Sequence, residues 1–301
     1  MKAIRRSPLG IDVIEAPEPN GPGRGEIAIN VCAASINRAD YAKKPPRDGV
    51  IPGSDVAGVV SAIGKDVEGF SIGDRVCAVT KNLKGGLAER AISSAEWTAH
   101  LPDQMSFAQG AALPSAGVTA LAAVRKSQIK PAFQVLVCGA SGGVGQYATA
   151  LSKATGAHVT AACSERSKPV ALAAGADTFI DYSNKLEDIA PNRFDVILAI
   201  NGSFPVGTYN RILKEKGAYV LIGTDSLQPA ALTLPMRGKR LKAATFFSLI
   251  NKNGLQEAVD VVSRSGFIPT MDLAHGFEEA AEALRSLGHT HPKGKVVAVF
   301  A

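Results

Sequence analysis

The chain has little with which to build a metal cluster, a disulfide framework or a membrane anchor. It carries four cysteines in 301 residues, and Cys32, Cys77, Cys138 and Cys163 lie far apart, each inside an apolar, strand-like segment. No C-x-x-C spacing occurs, so reduced, buried thiols are expected rather than a redox pair or a zinc knuckle. The five histidines, His100, His158, His275, His289 and His291, show no ligand spacing, and His158 and His275 are expected in strands. No run of about 18 apolar residues is present, which argues against a membrane span. The opening Met-Lys-Ala-Ile-Arg-Arg-Ser-Pro has charge but no apolar core, so no signal peptide is expected and the cytoplasm is the default location. Internal repeats and low-complexity segments are also lacking.

Thirty-three Lys and Arg against 27 Asp and Glu give a net charge of +6 and a pI near 9.1. The bases are dispersed, with small clusters at 5–6, 43–44 and 237–242, and no aromatic platform accompanies them. That pattern describes a solvated basic surface, or one that attracts an anionic cofactor, better than a nucleic-acid interface. The length suits two domains, and 46% apolar residues suffice for real cores.

What is there centres on residues 133–166. Val135, Leu136 and Val137 form a short apolar run, as in a central parallel strand buried on both faces. Ala140, Gly142 and Gly145 then fall on a G-x-G-x-x-G grid with Ala in first place. Gly142 would let backbone approach a pyrophosphate, and Gly145 would let a helix pack closely on the strand. That helix starts near Gly143, carries Val144, Tyr147, Ala148, Leu151 and Ala154 at helical spacing, and stops at Gly156. Its N-terminal N–H groups, at Ser141, Gly142, Gly143 and Val144, would face the phosphates. A strand over 158–162 completes a βαβ unit.

Along the rest of the chain, residues 1 to about 115 read as β-rich, punctuated by Gly and Pro as in a small barrel. Strands are expected at 26–36, 55–63 and 75–80, with another opening at Gly85-Gly86 and running through Ile92. The stretches 17–23 and 43–52 read as loops. Ala-rich helices follow at 108–113 and 117–124, with Pro114-Ser115 between them. Beyond the fingerprint come a helix (168–174), strands (178–182 and 194–200), a helix (205–213), a strand (218–222) and a β-like run (241–247). This alternation predicts an α/β, doubly wound parallel sheet. The tail predicts helices at 255–265 and 278–287 and a last strand at 295–300.

Seven motifs occur in order: Ser35-Ile-Asn-Arg-Ala-Asp40, Pro52-Gly-Ser-Asp-Val-Ala-Gly-Val-Val60, Gly73-Asp-Arg-Val76, Gly85-Gly-Leu-Ala-Glu89, Ala111-Ala-Leu-Pro-Ser-Ala-Gly-Val-Thr-Ala120, Ala140-Ser-Gly-Gly-Val-Gly145 and Gly294-Lys-Val-Val297. Together they resemble the zinc-free quinone oxidoreductase branch of the medium-chain dehydrogenase/reductase superfamily, which includes zeta-crystallin-like quinone reductases and alkenal/enone reductases. The resemblance spans nearly the whole chain. It implies a GroES-like barrel domain (1–115), a Rossmann NADP-binding domain (116–248) and a C-terminal segment (249–301) returning to the first, with the active site in a cleft between the domains.

The same resemblance implies site residues. Zinc alcohol dehydrogenases place a Cys where this chain has Asn37 and a His-Glu pair where it has Ser54-Asp55, and the four-Cys lobe expected after Val79 is missing, so no zinc is expected. Without a metal, hydride transfer depends on positioning, and donors near the acceptor oxygen stabilise its developing charge. Asn37 would sit beside the nicotinamide ribose and substrate, and Thr119 at the nicotinamide face. Tyr41, one turn beyond Asn37, is a candidate pocket wall or proton donor, with neither role as the remaining alternative. The backbone of Ile222, Gly223 and Thr224 would hold the carboxamide, with Asn201 and Lys295 among the other cofactor contacts. Phe204, Phe246 and Phe247 are candidate pocket walls.

The loop Cys163-Ser164-Glu165-Arg166-Ser167-Lys168 bears on the choice of nucleotide. Ser164 stands where an NAD-type acid belongs, and Arg166 and Lys168 supply positive charge, which favours NADPH. Tyr182 matches a position where NADPH-using relatives place a Tyr. A shift of one residue would instead make Glu165 a ribose ligand and favour NADH. The expectation is therefore an NADPH-dependent reductase of quinones or enones. An enoyl-thioester reductase is the alternative within the class, and a non-catalytic NADPH- or RNA-binding protein the alternative outside it. An edge strand at 241–247 could pair across a two-fold axis, and the resemblance implies a homodimer.

Overall fold

A computed structural model describes residues 1–42, 44–182, 186–200, 204–222, 239–244, 253–287, 289, 292 and 294–300. Two compact units result: Met1–Ser115 with Ile250–Gly266 and Met271–Ala301, and Ala116–Leu249 with Phe267–Thr270.

The first unit is built around a strongly curved antiparallel sheet. Its strands are β3 (Glu26–Ile36), β4 (Asp55–Ile63), β5 (Arg75–Thr80) and β6 (Arg90–His100), preceded by a hairpin of β1 (Lys2–Ser7) and β2 (Gly10–Glu15). β6 pairs back onto the first half of β3, Glu26 opposite Ser94 and Asn30 opposite Arg90, so four strands close on themselves. The second half of β3 pairs with β14 (Lys295–Val299), which carries β13 (Met271–His275) on its other side. Closure consumes edges that would otherwise stand open. Ile27, Ile29, Val56, Val76 and Val296 fill the interior together with Leu284 from the helix α8 (Gly276–Ser286). Burial of each such side chain contributes about 1.5–3 kcal/mol. Three short or peripheral helices, α1 (Arg38–Ala42), α2 (Phe107–Ala112) and α7 (Gly254–Ser265), complete the unit.

The second unit is a six-stranded parallel sheet. It contains β7 (Gln134–Cys138), β8 (His158–Cys163), β9 (Thr178–Asp181), β10 (Phe194–Ile200), β11 (Leu213–Ile222) and β12 (Arg240–Ala244), ordered β12-β11-β10-β7-β8-β9. Sequence order reverses between β7 and β10, the switch point at which such sheets bind ligands. Val135 to Cys138 are fully buried, as a central strand covered on both faces requires. The helices are α3 (Pro114–Ser127), α4 (Gly143–Ala154), α5 (Lys168–Ala173) and α6 (Val206–Ile212).

Several boundaries differ from the sequence expectation. The strand expected from Gly85 starts at Arg90 and runs to His100; Gly85 has φ +91° and turns the chain instead. The helix expected at 117 starts at Pro114, because proline at the first helical position loses no needed N–H. β11 starts five residues earlier than expected, at Leu213. The expectation includes neither β1 nor β2, and of β13 only His275, which the structure places at its end. Cys77, Cys138 and Cys163 are buried, but Cys32 is only half-buried. Among the described residues no helix is long and apolar enough to cross a membrane.

Candidate active site

The second unit presents its polar groups at the carboxyl ends of β7, β8 and β9. Gly139, at φ +78°, turns the chain out of β7 while its N–H and that of Ala140 bond the Ala162 carbonyl of β8. α4 then begins with Gly142 as N-cap, and no side chain caps it. Its first-turn N–H groups are therefore directed outward with the positive end of the helix dipole. The two glycines of the grid have different physical roles. A Cβ at Gly145 would lie 2.0 Å from the Gly139 carbonyl oxygen, so helix and strand meet there too closely for a side chain. A Cβ at Gly142 would meet nothing nearer than 3.5 Å, so the protein's own packing does not demand glycine. Open space over uncapped N–H groups fits a phosphate.

Around this loop Ser141 bonds the Cys163 thiol, whose pKa burial pushes up to about 11. Ser164 follows β8 and bonds Ser167 at 3.0 Å. Lys168 lies 3.3 Å from Glu165 and above the Phe179 ring, 5.2 Å from its centroid. Tyr182 N–H bonds the Cys163 carbonyl at 3.1 Å, and its ring lies against Phe204, centroids 5.6 Å apart. The structure thus gathers Ser141, Gly142, Gly143, Val144, Ser164, Arg166, Lys168 and Tyr182 at one end of the sheet. Thr119 is buried in α3, and Ile222 ends β11. Asn201, Gly223, Thr224, Phe246 and Phe247 lie outside the described residues.

The first unit holds a different cluster. Asp40, third residue of α1, accepts the Asn37 N–H at 2.6 Å and so caps the helix in place of the Asn37 side chain. The Asn37 amide is thereby free to turn inward. Its Nδ2 donates to Ser54 Oγ at 3.1 Å and to Asp55 Oδ2 at 3.0 Å, and its Oδ1 accepts from Lys295 Nζ. Asp55, fully buried, also accepts from Ser35 Oγ (3.3 Å), Ser54 Oγ (3.2 Å), Ser115 N (3.1 Å) and Ser115 Oγ (2.5 Å). The Lys295 ammonium, 5% exposed, stands 3.9 Å from Asp55. Burial lowers its pKa, while Asp55 and Asp40 oppose that shift. Tyr41 packs its ring against the barrel core, and its carbonyl accepts from Arg6 at 2.8 Å.

The expectation places Asn37 beside the nicotinamide ribose and substrate and Lys295 among the cofactor contacts; in the structure their side chains bond each other. Asp40, Asp55 and Ser115 were not assigned as site residues. The available signal was Asp40 three residues after Asn37, the spacing of a reciprocal cap, but nothing local reveals that residues 55, 115 and 295 converge. Among the described residues no group of three His, Cys, Asp or Glu side chains converges.

Comparisons with known proteins agree with this architecture. A family model described as an alcohol dehydrogenase GroES-like domain matches residues 23–103, and one described as a zinc-binding dehydrogenase matches residues 174–297. The chain is 32% identical to the chloroplastic quinone-oxidoreductase QR1 of Triphysaria versicolor, covering 96% of this chain and 93% of that one. Among solved structures, the quinone oxidoreductase of Coxiella burnetii superposes with a TM-score of 0.85 at 26% identity, covering 100% of this chain and 99% of that one. A cobalt- and zinc-bound alcohol dehydrogenase of Pyrobaculum aerophilum gives a TM-score of 0.83 at 26% identity, with the same coverage. The chain belongs to the medium-chain dehydrogenase/reductase superfamily, a superfamily of oxidoreductases, and within it to the quinone oxidoreductase branch. Its barrel is the GroES-like fold and its parallel sheet the Rossmann fold.

The zinc-binding name does not transfer to the donor set. At Asn37, Ser54 and Asp55 the chain offers an amide, a hydroxyl and one carboxylate already saturated by hydrogen bonds, with an ammonium beside them. A tetrahedral zinc site needs nitrogen or thiolate ligands, and a resident positive charge opposes a divalent cation.

Proposed function

We propose that the chain is an NADPH-dependent, zinc-independent reductase that passes hydride to quinones or α,β-unsaturated carbonyls. The observation that carries this reading is the uncapped start of α4 beneath the open space at Gly142, a built cradle for a pyrophosphate. Arg166 and Lys168, on the segment after β8, favour a 2′-phosphate over a bare ribose. Family membership supports the reaction class, and the named relatives support a quinone as acceptor. When bound, the nicotinamide supplies the hydride. The chain's task is to orient it and to answer the negative charge that develops on the acceptor oxygen.

The test is NADPH oxidation over a panel of quinones, 2-alkenals, cyclic enones and enoyl thioesters, repeated with NADH and with a chelator. Turnover of quinones or enones with NADPH, insensitive to chelation, is the expected result. Activity confined to enoyl thioesters would move the chain to lipid or polyketide chemistry. Loss of activity on chelation would overturn the metal-free reading.

A further inference from the structure

Helix α4 buries a residue that its apolar stripe does not call for. Val144, Tyr147, Ala148 and Leu151 mark the face expected against the sheet, yet Gln146 is only 1% exposed. A buried amide is costly unless its polar groups are bonded. Those of Gln146 bond two separate pieces of backbone, both within the second unit. Its Oε1 accepts the Thr270 N–H at 2.7 Å. Its Nε2 donates to the Thr270 carbonyl at 3.3 Å and to the Ser141 carbonyl at 3.4 Å.

Thr270 ends a strap, 267–270, that joins the second unit after Gly266, the left-handed cap of α7. The chain leaves that unit again at Met271, the first residue of β13. At the start of the strap the Phe267 ring stands edge-on to Tyr147, centroids 5.4 Å apart. The strap thus rests on two consecutive residues of α4. Holding it there requires only the bonds to Thr270. The bond to Ser141 is what that task leaves unexplained.

Ser141 belongs to the pyrophosphate cradle, and its carbonyl shares one planar peptide unit with the Gly142 N–H. That N–H bonds the Gly139 carbonyl at 3.2 Å, the long end of the usual range. A phosphate is the stronger acceptor, because its bonds are charge-assisted. The N–H and C=O of a trans peptide point in opposite directions. Turning the Gly142 N–H out toward a phosphate therefore turns the Ser141 carbonyl in toward Gln146. Both Nε2 bonds are long enough to tighten, whereas the Oε1 bond is already short.

We propose that Gln146 couples the cradle to the strap, so that a nucleotide pyrophosphate in the cradle holds residues 267–270 on α4. This rests on the cradle reading given above. The occupied cradle draws the Ser141 carbonyl onto Nε2 and fixes the amide whose other end carries Thr270. Coupling of this kind is reciprocal, so a strap held on α4 also favours the nucleotide. Gln146 is a positioning residue in this scheme, acting through the backbone of the loop and of the strap.

The experiment follows amide hydrogen exchange with and without saturating NADP+, and NADP+ affinity by calorimetry, in wild type, Gln146→Leu and Phe267→Ala. In wild type, NADP+ should slow exchange at Thr270 at least fivefold more than at the amides of α6, which separates the strap from any general stabilisation. In Gln146→Leu, Thr270 should exchange faster without nucleotide, and NADP+ should change its rate less than twofold. Phe267→Ala, which alters no residue of the cradle, should weaken NADP+ binding at least threefold.

The proposal is overturned if wild type binds NADP+ with no added protection at Thr270, or if Gln146→Leu keeps that protection. It is overturned equally if Phe267→Ala speeds exchange in the strap and leaves NADP+ affinity unchanged. Should both variants fail to fold, the wild-type exchange alone decides. The cradle reading fails separately, and takes the coupling with it, if calorimetry shows that wild type binds no NADP+.

Discussion

The Asp40 carboxyl accepts the Gly53 N–H at 2.8 Å, tying the helix that follows Asn37 to the turn that precedes Ser54. With its other oxygen on the Asn37 N–H, this side chain fixes both segments that carry the polar cluster. Its position has an electrostatic cost. Burial pushes the Asp40 pKa up from 3.8 to about 6, and Asp55 adds to the rise, while the two N–H groups and Lys295 oppose it.

Because the folded protein holds the Asp40 proton more tightly than the unfolded chain, this group favours folding most below about pH 4. Its contribution is lost as pH rises through about 6. The stability of wild type relative to Asp40→Asn should therefore fall between pH 4 and pH 7, by on the order of 3 kcal/mol. Urea unfolding of both proteins across that range measures the difference. A difference that stays flat would show that Asp40 titrates alike in the folded and unfolded states.

The two grid glycines should separate stability from ligand binding. Gly145→Ala pushes a methyl into the Gly139 carbonyl, 2.0 Å away, and backbone on both sides resists moving. Overpacking of this kind costs about 1–3 kcal/mol or more. Gly142→Ala adds its methyl in open space and should leave the thermal midpoint nearly unchanged, while weakening NADPH binding at least tenfold by occupying the phosphate's approach. Thermal denaturation and nucleotide titration of the two variants check the pair. Equal nucleotide affinity for Gly142→Ala and wild type would remove the pyrophosphate from this loop.

Nucleotide preference should follow the segment after β8. Lys168 is engaged there by an exposed contact with Glu165 and by the face of the Phe179 ring, both weak, so it can be redirected to a 2′-phosphate at little cost. Charge-assisted hydrogen bonds contribute about 1.5–3 kcal/mol each. Replacing both Arg166 and Lys168 by Ala should raise KM for NADPH by ten- to several-hundred-fold and leave KM for NADH within about threefold. Glu165→Ala provides the opposing case: if it is Glu165 that contacts a ribose, that variant loses NADH affinity and the double variant loses little.

What the sequence revealed, and what it hid, follow from the range of the interactions. The fingerprint was legible because its constraints are local. The residues from Val135 to Gly156 form one strand, one tight turn and one helix, each with its own period or glycine. The strands at 26–36, 55–63, 75–80 and 194–200 were legible for the same reason, and their observed bounds coincide with those expected. β13 was not. It is five residues with exposed Asp272 and Leu273, and it exists because β14 offers it a parallel partner. The return of residues 267–270 to the second unit was equally hidden. It depends on Gln146, buried in α4, whose amide accepts the Thr270 N–H at 2.7 Å and donates to the Thr270 carbonyl at 3.3 Å. The Asp55–Lys295 pairing spans most of the chain, and no local pattern encodes a contact of that separation.

The half-buried position of Cys32 gives the last prediction. Cys77 and Cys138 are fully enclosed in strands, and burial pushes both thiols up to about 12, so neither offers thiolate near neutral pH. Cys163 is raised to about 11 and is covered as well. Cys32 lies on β3 with its thiol partly open to solvent; burial raises its pKa too, and nearby Arg75 pulls it back. Thiolate fraction and access together set reactivity. Titration with an aromatic disulfide at pH 8 should therefore label one thiol in the native protein and four after denaturation. Cys32→Ser should abolish the native reaction without changing NADPH turnover, since this thiol makes no bond to the Asn37–Asp55–Lys295 cluster. Native labelling of two or more thiols would mean that one of the sheets opens on the timescale of the reaction, and loss of turnover in Cys32→Ser would place β3's solvent face in the reaction itself.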